Sequence, residues 1–267
     1  MPSPGKDMSQ AGPKPPLEAK NLTVSHEGSP PLLVGLNFTA LPGEILGILG
    51  PSGCGKSSLL QHLVGLAVPR EGQVFIFGED IYAQGEQSLM RARHNFGVMY
   101  QTGALFGDLT LLDNVSVPLK EFTHLDPNCI KDIAALKLAL VGLTGSEYLL
   151  PANVSGGMVK RAAIARALAL EPSLLFLDEP SAGLDPITAR DLDELIGTLA
   201  RNLGLTFVMV THELRSIMRI VDRAILLGKR MKGIADMGSP KYLAEKSTVP
   251  ESIAFFQRNN VKEKKEK

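Results

Sequence analysis

The residues Gly50-Pro51-Ser52-Gly53-Cys54-Gly55-Lys56-Ser57-Ser58 carry the strongest chemical signal in the chain. Gly50, Gly55, Lys56 and Ser57 hold the fixed positions of the pattern G-x-x-x-x-G-K-[ST], and the apolar run 45–49 precedes them. A buried strand that breaks into glycines and then opens a helix directs several backbone N–H groups and a helix N-terminus at one point. That point suits a polyphosphate. Lys56 brings a compact positive charge to the β and γ phosphates, and the Ser57 hydroxyl is a ligand for the magnesium that accompanies them. A glycine-rich turn with an exposed lysine is the plain alternative, but it requires neither the strand before nor the helix after.

Other chemistry-bearing residues stand at the ends of apolar runs. Leu174-Leu175-Phe176-Leu177 reads as a buried parallel strand that ends in Asp178-Glu179-Pro180. Two carboxylates at a strand tip are costly unless a cation or solvent meets them. Beside a phosphate loop, Asp178 suits a magnesium carboxylate acting through water, and Glu179 suits a base that takes a proton from attacking water. The stretch Phe96 to Tyr100 delivers Gln101 to the glycine-rich apolar loop 102–107; taken alone, this is a solvated amide at a strand end. The β-branched strand 206–210 ends in Thr211-His212-Glu213, from which His212 can reach a γ phosphate, although by itself it reads as structural. Ser155-Gly156-Gly157-Met158 opens an alanine-rich helix. Ser155 is a good N-cap, and the glycines admit a second molecule at a positive helix start; plain capping accounts for the same residues.

The elements that must position these residues belong to a globular α/β chain. A length of 267 residues, 44% hydrophobic and 21% charged, supplies the core of one large domain or two small ones. The 28 basic and 28 acidic residues cancel, so no net basic field recruits nucleic acid. Two cysteines, Cys54 and Cys129, make a disulfide framework improbable and indicate a reducing compartment. No run reaches the roughly 18 apolar residues of a membrane span, and the N-terminus lacks an export signal, so a cytoplasmic protein is expected. Residues 1–16, rich in proline, read as a disordered lead. Runs 22–25 and 32–41 read as an antiparallel edge, and 74–77 as a further strand. Leu59, Leu60, Leu63 and Val64 mark a helix with one core face, which leaves His62 partly exposed. From 111 to 150 the pattern is helical, with Ile130, Ile133, Ala134, Leu136, Leu138 and Val141 as its apolar positions. His94 and His124 have no partner at metal-ligand spacing. Helices are also expected over 187–199 and 241–246, and 262–267 is a solvated charge run.

The order and spacing of the phosphate loop, Gln101, Ser155-Gly156-Gly157, Asp178-Glu179, Asp185 and His212 resemble those of an ATP-binding cassette (ABC) ATPase. Six motifs together are far more specific than the loop alone. The resemblance implies a P-loop NTPase fold over about residues 17–245: a RecA-like core, an antiparallel β subdomain and a helical subdomain near 105–168, followed by a tail over 246–267. It implies ATP and Mg2+ as ligands and ATP hydrolysis as the activity. By that likeness Gly50, Pro51, Ser52, Gly53, Cys54, Gly55, Lys56, Ser57 and Ser58 bind ATP, with His26 where most members stack an aromatic ring on adenine. Ser57, Gln101 and Asp178 serve the metal, Glu179 is the general base, and His212 and Gln101 complete the catalytic set. Ser155, Gly156, Gly157 and Met158 complete the site of the opposite subunit, with Met158 where many members have glutamine, and Asp185 is the dimer contact. A head-to-tail homodimer follows, and a single copy hydrolyses poorly.

A finer likeness lies in Gln101-Thr102-Gly103-Ala104-Leu105-Phe106, in Lys160-Arg161-Ala162-Ala163 and in Leu184-Asp185-Pro186-Ile187-Thr188. These resemble the MlaF-type branch that serves MCE-type phospholipid transport in double-membraned bacteria. That branch implies a MlaE-like integral membrane permease and a MlaD-like MCE-domain lipid-binding protein as partners, joined in some members by a small MlaB-like STAS-domain protein. It also implies a peripheral place on the cytoplasmic face of the inner membrane. The segment 103–106 then receives a helix of the permease, and the tail around Ile253, Phe255 and Phe256 packs either on the neighbouring subunit or on its own. An amino-acid or ion importer, or a non-transport cassette ATPase, shares the same motor residues. Cys54, near a helix N-terminus, is expected to have a stabilised thiolate whose alkylation ATP slows.

Overall fold

The computed structural model describes residues 14–265 except Glu27, with side chains through residue 257. Strands β1 (Leu17–Val24) and β2 (Leu33–Ala40) pair antiparallel, and β3 (Ile45–Leu49) leads through the glycine loop into helix α1 (Lys56–Leu63). Strands β4 (Glu71–Ile76) and β5 (Glu79–Asp80) extend the antiparallel sheet to the order β2-β1-β4-β5. Helix α2 (Glu86–Ala92) connects it to β6 (Phe96–Met99). Helices α3 (Leu111–Phe122), α4 (Pro127–Leu140) and α5 (Gly156–Ala167) then pack on one another. The chain continues through β7 (Leu174–Asp178), α6 (Pro186–Leu203), β8 (Thr206–Val210), α7 (Leu214–Ile220), β9 (Arg223–Gly228) and β10 (Gly233–Gly238). It ends in α8 (Pro240–Glu245) and α9 (Pro250–Lys265).

The second sheet runs β10-β9-β3-β8-β7-β6, parallel except for β10. Its central strands are buried on both faces and divide two cores by strict alternation. Ile45 and Leu49 of β3, Leu175 and Leu177 of β7, and Phe207 and Met209 of β8 face the core under α3 to α9. Leu46 and Ile48, Leu174 and Phe176, and Val208 and Val210 face the core shared with α1 and the antiparallel sheet. Ile48 lies level with Val210, and Val210 with Asp178, so β3, β8 and β7 end at one edge. In an open α/β sheet that edge, beyond the carboxyl ends of the strands, is where ligands bind.

Several local expectations change. His62 is fully buried, because α1 lies between the two sheets and has little free face; its Nδ1 meets the Ser58 carbonyl at 2.7 Å. In α4, Ile130, Ala134 and Leu138 form the buried stripe, whereas Leu136, two residues from the stripe's centre, is 65% exposed. The lead expected over 1–16 lies outside the described residues as far as 13, but the Pro16 carbonyl already accepts the Phe77 N–H. The tail packs on its own subunit: Phe255 and Phe256 join the core of Ile217, Ile220 and Leu243, and the Ser252 hydroxyl donates to Asp236. Ile253 stays exposed. The side chains of the 262–267 charge run lie outside the described residues.

An ion pair ties the two sheets together. Arg223 of β9 donates to both carboxylate oxygens of buried Glu44 at 2.6 and 2.9 Å, and to the Thr39 carbonyl of β2 at 2.7 Å. Glu44→Ala leaves the guanidinium with half its partners, and urea denaturation is expected to show a loss of about 2–3 kcal/mol. An unchanged midpoint would mean that the sheets are held by apolar packing alone.

Candidate active site

The phosphate-loop glycines are required by the backbone. Gly50 (φ 155°) has no room for a side chain, since a Cβ there would lie 2.7 Å from Cys54 Sγ and 3.0 Å from the Leu227 carbonyl. Gly55 (φ 102°) turns the chain into α1 as a left-handed N-cap, and no side chain caps the helix. The first N–H groups of α1 are therefore left for another partner. Lys56 is buried and folds across the loop, its ammonium donating to the carbonyls of Gly50 at 2.9 Å and Pro51 at 3.3 Å. Pro51, Ser52, Gly53 and Ser57 are exposed, and Ser58 is half-buried. His26 lies beside this helix start, its Nε2 3.4 Å from Ser58 Oγ. Cys54 departs from expectation: it is buried, and burial raises its thiol pKa, more than the nearby Lys56 charge and backbone N–H groups lower it. Burial thus works against the stabilised thiolate expected from its place near a helix start, because desolvation outweighs the helix terminus.

Asp178 ends β7, and Glu179 follows it with φ +47°, a strained conformation for a residue with a side chain. The Glu179 N–H is fixed on the Val210 carbonyl at 2.8 Å, which holds the turn against β8. Its Oε1 meets His212 Nδ1 at 2.7 Å, with the imidazole half exposed and the carboxylate buried. The hydrogen bond to Glu179 holds the His212 pKa above the ordinary histidine value, against partial burial. Burial and the neighbouring charge of Glu179 push Asp178 up, and Lys56 and Lys160 partly offset that rise. Asp178 Oδ1 and Glu179 Oε2 are each buried without a hydrogen-bond partner. Buried orphan oxygens on adjacent carboxylates, within the field of Lys56, fit the neighbourhood of a cation and its water. Among the described residues no group of three or more His, Cys, Asp or Glu is placed to hold a metal ion by itself. One carboxylate with the Ser57 hydroxyl and the Gln101 amide suits Mg2+, which keeps waters and leans on substrate phosphates.

Gln101 is exposed just past β6, at the same edge. Its loop is pinned from α5. Lys160 donates to the Gln101 carbonyl, and Arg166 donates to the carbonyls of Gly103 at 2.9 Å and Ala104 at 2.7 Å. Buried Asn114 grips the other end, taking the Phe106 N–H at 2.8 Å and donating to the carbonyls of Phe106, Leu109 and Thr110. Phe106 stays half exposed. A cleft of about 260 Å3 is lined by Leu66, Tyr100, Phe122 and Arg166, the last of which also holds the Gly103 and Ala104 carbonyls. His94 stacks edge-on against Phe122, 5.2 Å between ring centres.

Ser155 caps α5 by accepting the Met158 N–H at 3.3 Å. The closely packed glycine serves the chain itself, since a Cβ on Gly157 would lie 2.4 Å from Thr188 Cγ2. Asp185 caps α6 through the N–H groups of Ile187 and Thr188. The start of α5 and the start of α6 are thus packed together, with Gly157 buried at their contact and Ser155, Gly156 and Asp185 exposed beside it. Lys160, Arg166 and Asn114 were not singled out as site residues from sequence. Lys160 interrupts a run of small apolar residues, and Asn114 falls beside Leu111 and Val115 on the buried stripe of α3. A polar residue on an apolar stripe was the available signal.

Comparison with known proteins agrees with this geometry. A family model described as ABC transporter matches residues 33–182. The chain is 40% identical over 227 residues to the intermembrane phospholipid transport system ATP-binding protein MlaF of Haemophilus influenzae, covering 85% of each. It is 41% identical over 214 residues to the probable ribonucleotide transport ATP-binding protein mkl of Mycobacterium tuberculosis, covering 80% of this chain and 59% of that one. A dimeric ATP-binding cassette, MJ0796, in a post-hydrolysis state bound to ADP and Pi, superposes with a TM-score of 0.75 at 29% identity, covering 84% of this chain and 98% of that one.

The His212–Glu179 contact has a solution signature. By NMR the His212 imidazole is expected to titrate above the ordinary value of 6.5. Glu179→Gln, which removes the charge and weakens the hydrogen bond, should bring it down. An unshifted wild-type His212 would mean that the contact is not held in solution.

Proposed function

As a member of the ABC transporter family, the chain is an ATP-binding cassette that hydrolyses ATP, and we propose that two copies, head to tail, drive phospholipid through a membrane permease. The observation that carries this reading is the 40% identity with a phospholipid-transport ATP-binding protein along 85% of both chains. Among the described residues no helix is long and apolar enough to cross a membrane, so the lipid path is assigned to partners. Those partners are a MlaE-like permease, a MlaD-like MCE-domain protein and a MlaB-like STAS-domain protein, with the cassette peripheral on the cytoplasmic face of the bacterial inner membrane. Half-exposed Phe106, and a cleft lined in part by the Arg166 that holds the carbonyls of Gly103 and Ala104, support a seat for a permease helix at segment 103–106.

Within one site, the amides of loop 50–58 and Lys56 bind the β and γ phosphates, with His26 near the base. Mg2+ held by Ser57 and Gln101, and by Asp178 through water, would neutralise charge on the phosphates. Glu179 takes the proton of the attacking water. His212, 2.7 Å from Glu179, holds that carboxylate and fixes the γ phosphate. The strain at Glu179 supports the assignment, since left-handed non-glycine residues collect at working sites. Ser155, Gly156, Gly157 and Met158 of one copy close the site of the other, and Asp185 lies at their contact. A single copy lacks that closure.

Glu179→Gln is expected to keep ATP binding, trap a closed dimer on gel filtration and cut turnover by about 100-fold or more. Undiminished turnover would remove Glu179 from the base role. For the cargo, co-purification with the permease followed by mass spectrometry of the bound solute is expected to yield phospholipid. Recovery of nucleotide in its place would favour the second reading, ribonucleotide transport, which the likeness to the mycobacterial protein supports.

A further inference from the structure

Lys160 is a buried cation for which the mechanism above has no use. It lies on α5, one and a half turns beyond the Ser155 cap, and only 6% of it is exposed. Burying an ammonium costs several kcal/mol unless its donors are met. Methionine would fill a similar space without that cost, so what the ammonium touches decides its purpose. It donates to the Gln101 carbonyl and lies 3.5 Å from the Glu179 carbonyl. The charges of Asp178, Glu179 and Glu213 surround it. One side chain thus reaches two backbone positions, the turn that carries the metal-side amide and the strained turn that carries the base. Arg166, on the same helix, reaches only the loop, at Gly103 and Ala104.

We propose that Lys160 is a positioning residue for hydrolysis, tying α5 to the backbone of both Gln101 and Glu179 so that the three move as one body. The inference rests on the roles given above to Gln101 and Glu179. The Ala182 N–H also meets the Glu179 carbonyl at 3.2 Å, and the Glu179 N–H is held by Val210, so Lys160 adds a hydrogen-bonded link from this turn to α5. The start of α5 faces the second copy in the proposed dimer. Docking of that copy then registers, through Lys160, at the base and the metal-side loop of the same subunit, whose own site is closed by the other signature segment.

The test is steady-state ATP hydrolysis by the full-length protein with MgATP. Lys160→Met is expected to lower kcat by about 10- to 100-fold, as a small misplacement of reacting groups does, with KM for ATP within about 2-fold. Arg166→Gln, which loosens the loop but leaves Glu179 held, should cost markedly less in kcat. Lys160→Gln, which keeps a donor on a shorter arm, should fall between wild type and Lys160→Met, and it carries the same kcat-against-KM comparison if Lys160→Met does not fold. Wild-type kcat in the Lys160 variants overturns the proposal. Equal losses in the Lys160 and Arg166 variants, with KM rising in both, also overturn it, because loop packing alone would explain them. Glu179→Gln run alongside separates the two levels: if it keeps full turnover, the base assignment fails whatever Lys160 does.

Discussion

Strands β3, β7 and β8 are covered on both faces, so their N–H and C=O groups have no water to turn to and must be met by the neighbouring strand in register. That requirement fixes their relative heights to the ångström scale. Because all three run the same way, satisfying the ladders also brings Leu49, Asp178 and Val210 to a common edge. Everything chemical in the molecule depends on this alignment. The phosphate loop, Asp178 at the last rung of β7, Glu179 just past it and His212 two residues past β8 all lie at that edge.

The edge is electrostatically expensive. Asp178 and Glu179 are adjacent, and both burial and the neighbouring charge of Glu179 disfavour the charged form of Asp178. Lys56 and Lys160 approach from opposite sides, one from the phosphate loop and one from α5, and each is itself buried. Neither cation forms a close ion pair with these carboxylates among the described contacts; both give their hydrogen bonds to backbone carbonyls. Asp178 Oδ1 and Glu179 Oε2 are therefore left free for reactants, while the positive charges still lower the cost of keeping them there. This arrangement is what a site for a tetra-anionic substrate and a divalent cation needs: charge balance without the side chains consuming one another.

A good share of this is legible in the amino-acid sequence. The strand–loop–helix at 45–63 and the strand ending in Asp178-Glu179 follow from apolar runs bounded by glycines or charge, since a strand buried on both faces leaves that pattern. The capping at Ser155 was equally plain, because its chemistry is local. What failed were statements about environment. His62 and Leu136 were misjudged because periodicity defines one face of a helix and is silent on how many neighbours the helix has. Cys54 was misjudged because a helix terminus and a buried pocket act on a thiol in opposite senses, and only the packing says which prevails.

The amino-acid sequence by itself determined which residues are able to bind phosphate, hold a metal or move a proton, because those capacities belong to side-chain type and to spacing within a single turn. It also determined the family to which the chain belongs and the order of the elements that carry its motifs. Tertiary structure alone decided which of these residues meet. The 2.7 Å contact of His212 with Glu179 joins positions 33 residues apart, and Lys160 reaches Gln101 across 59 residues. Such meetings follow from strand register and from the packing of α5 against the sheet, sums over many weak contacts that no local pattern encodes. The packed glycine at 157 is the sharpest case: its sequence context marks a place for close approach, and only the fold reveals that Thr188 of the same chain takes part of that space.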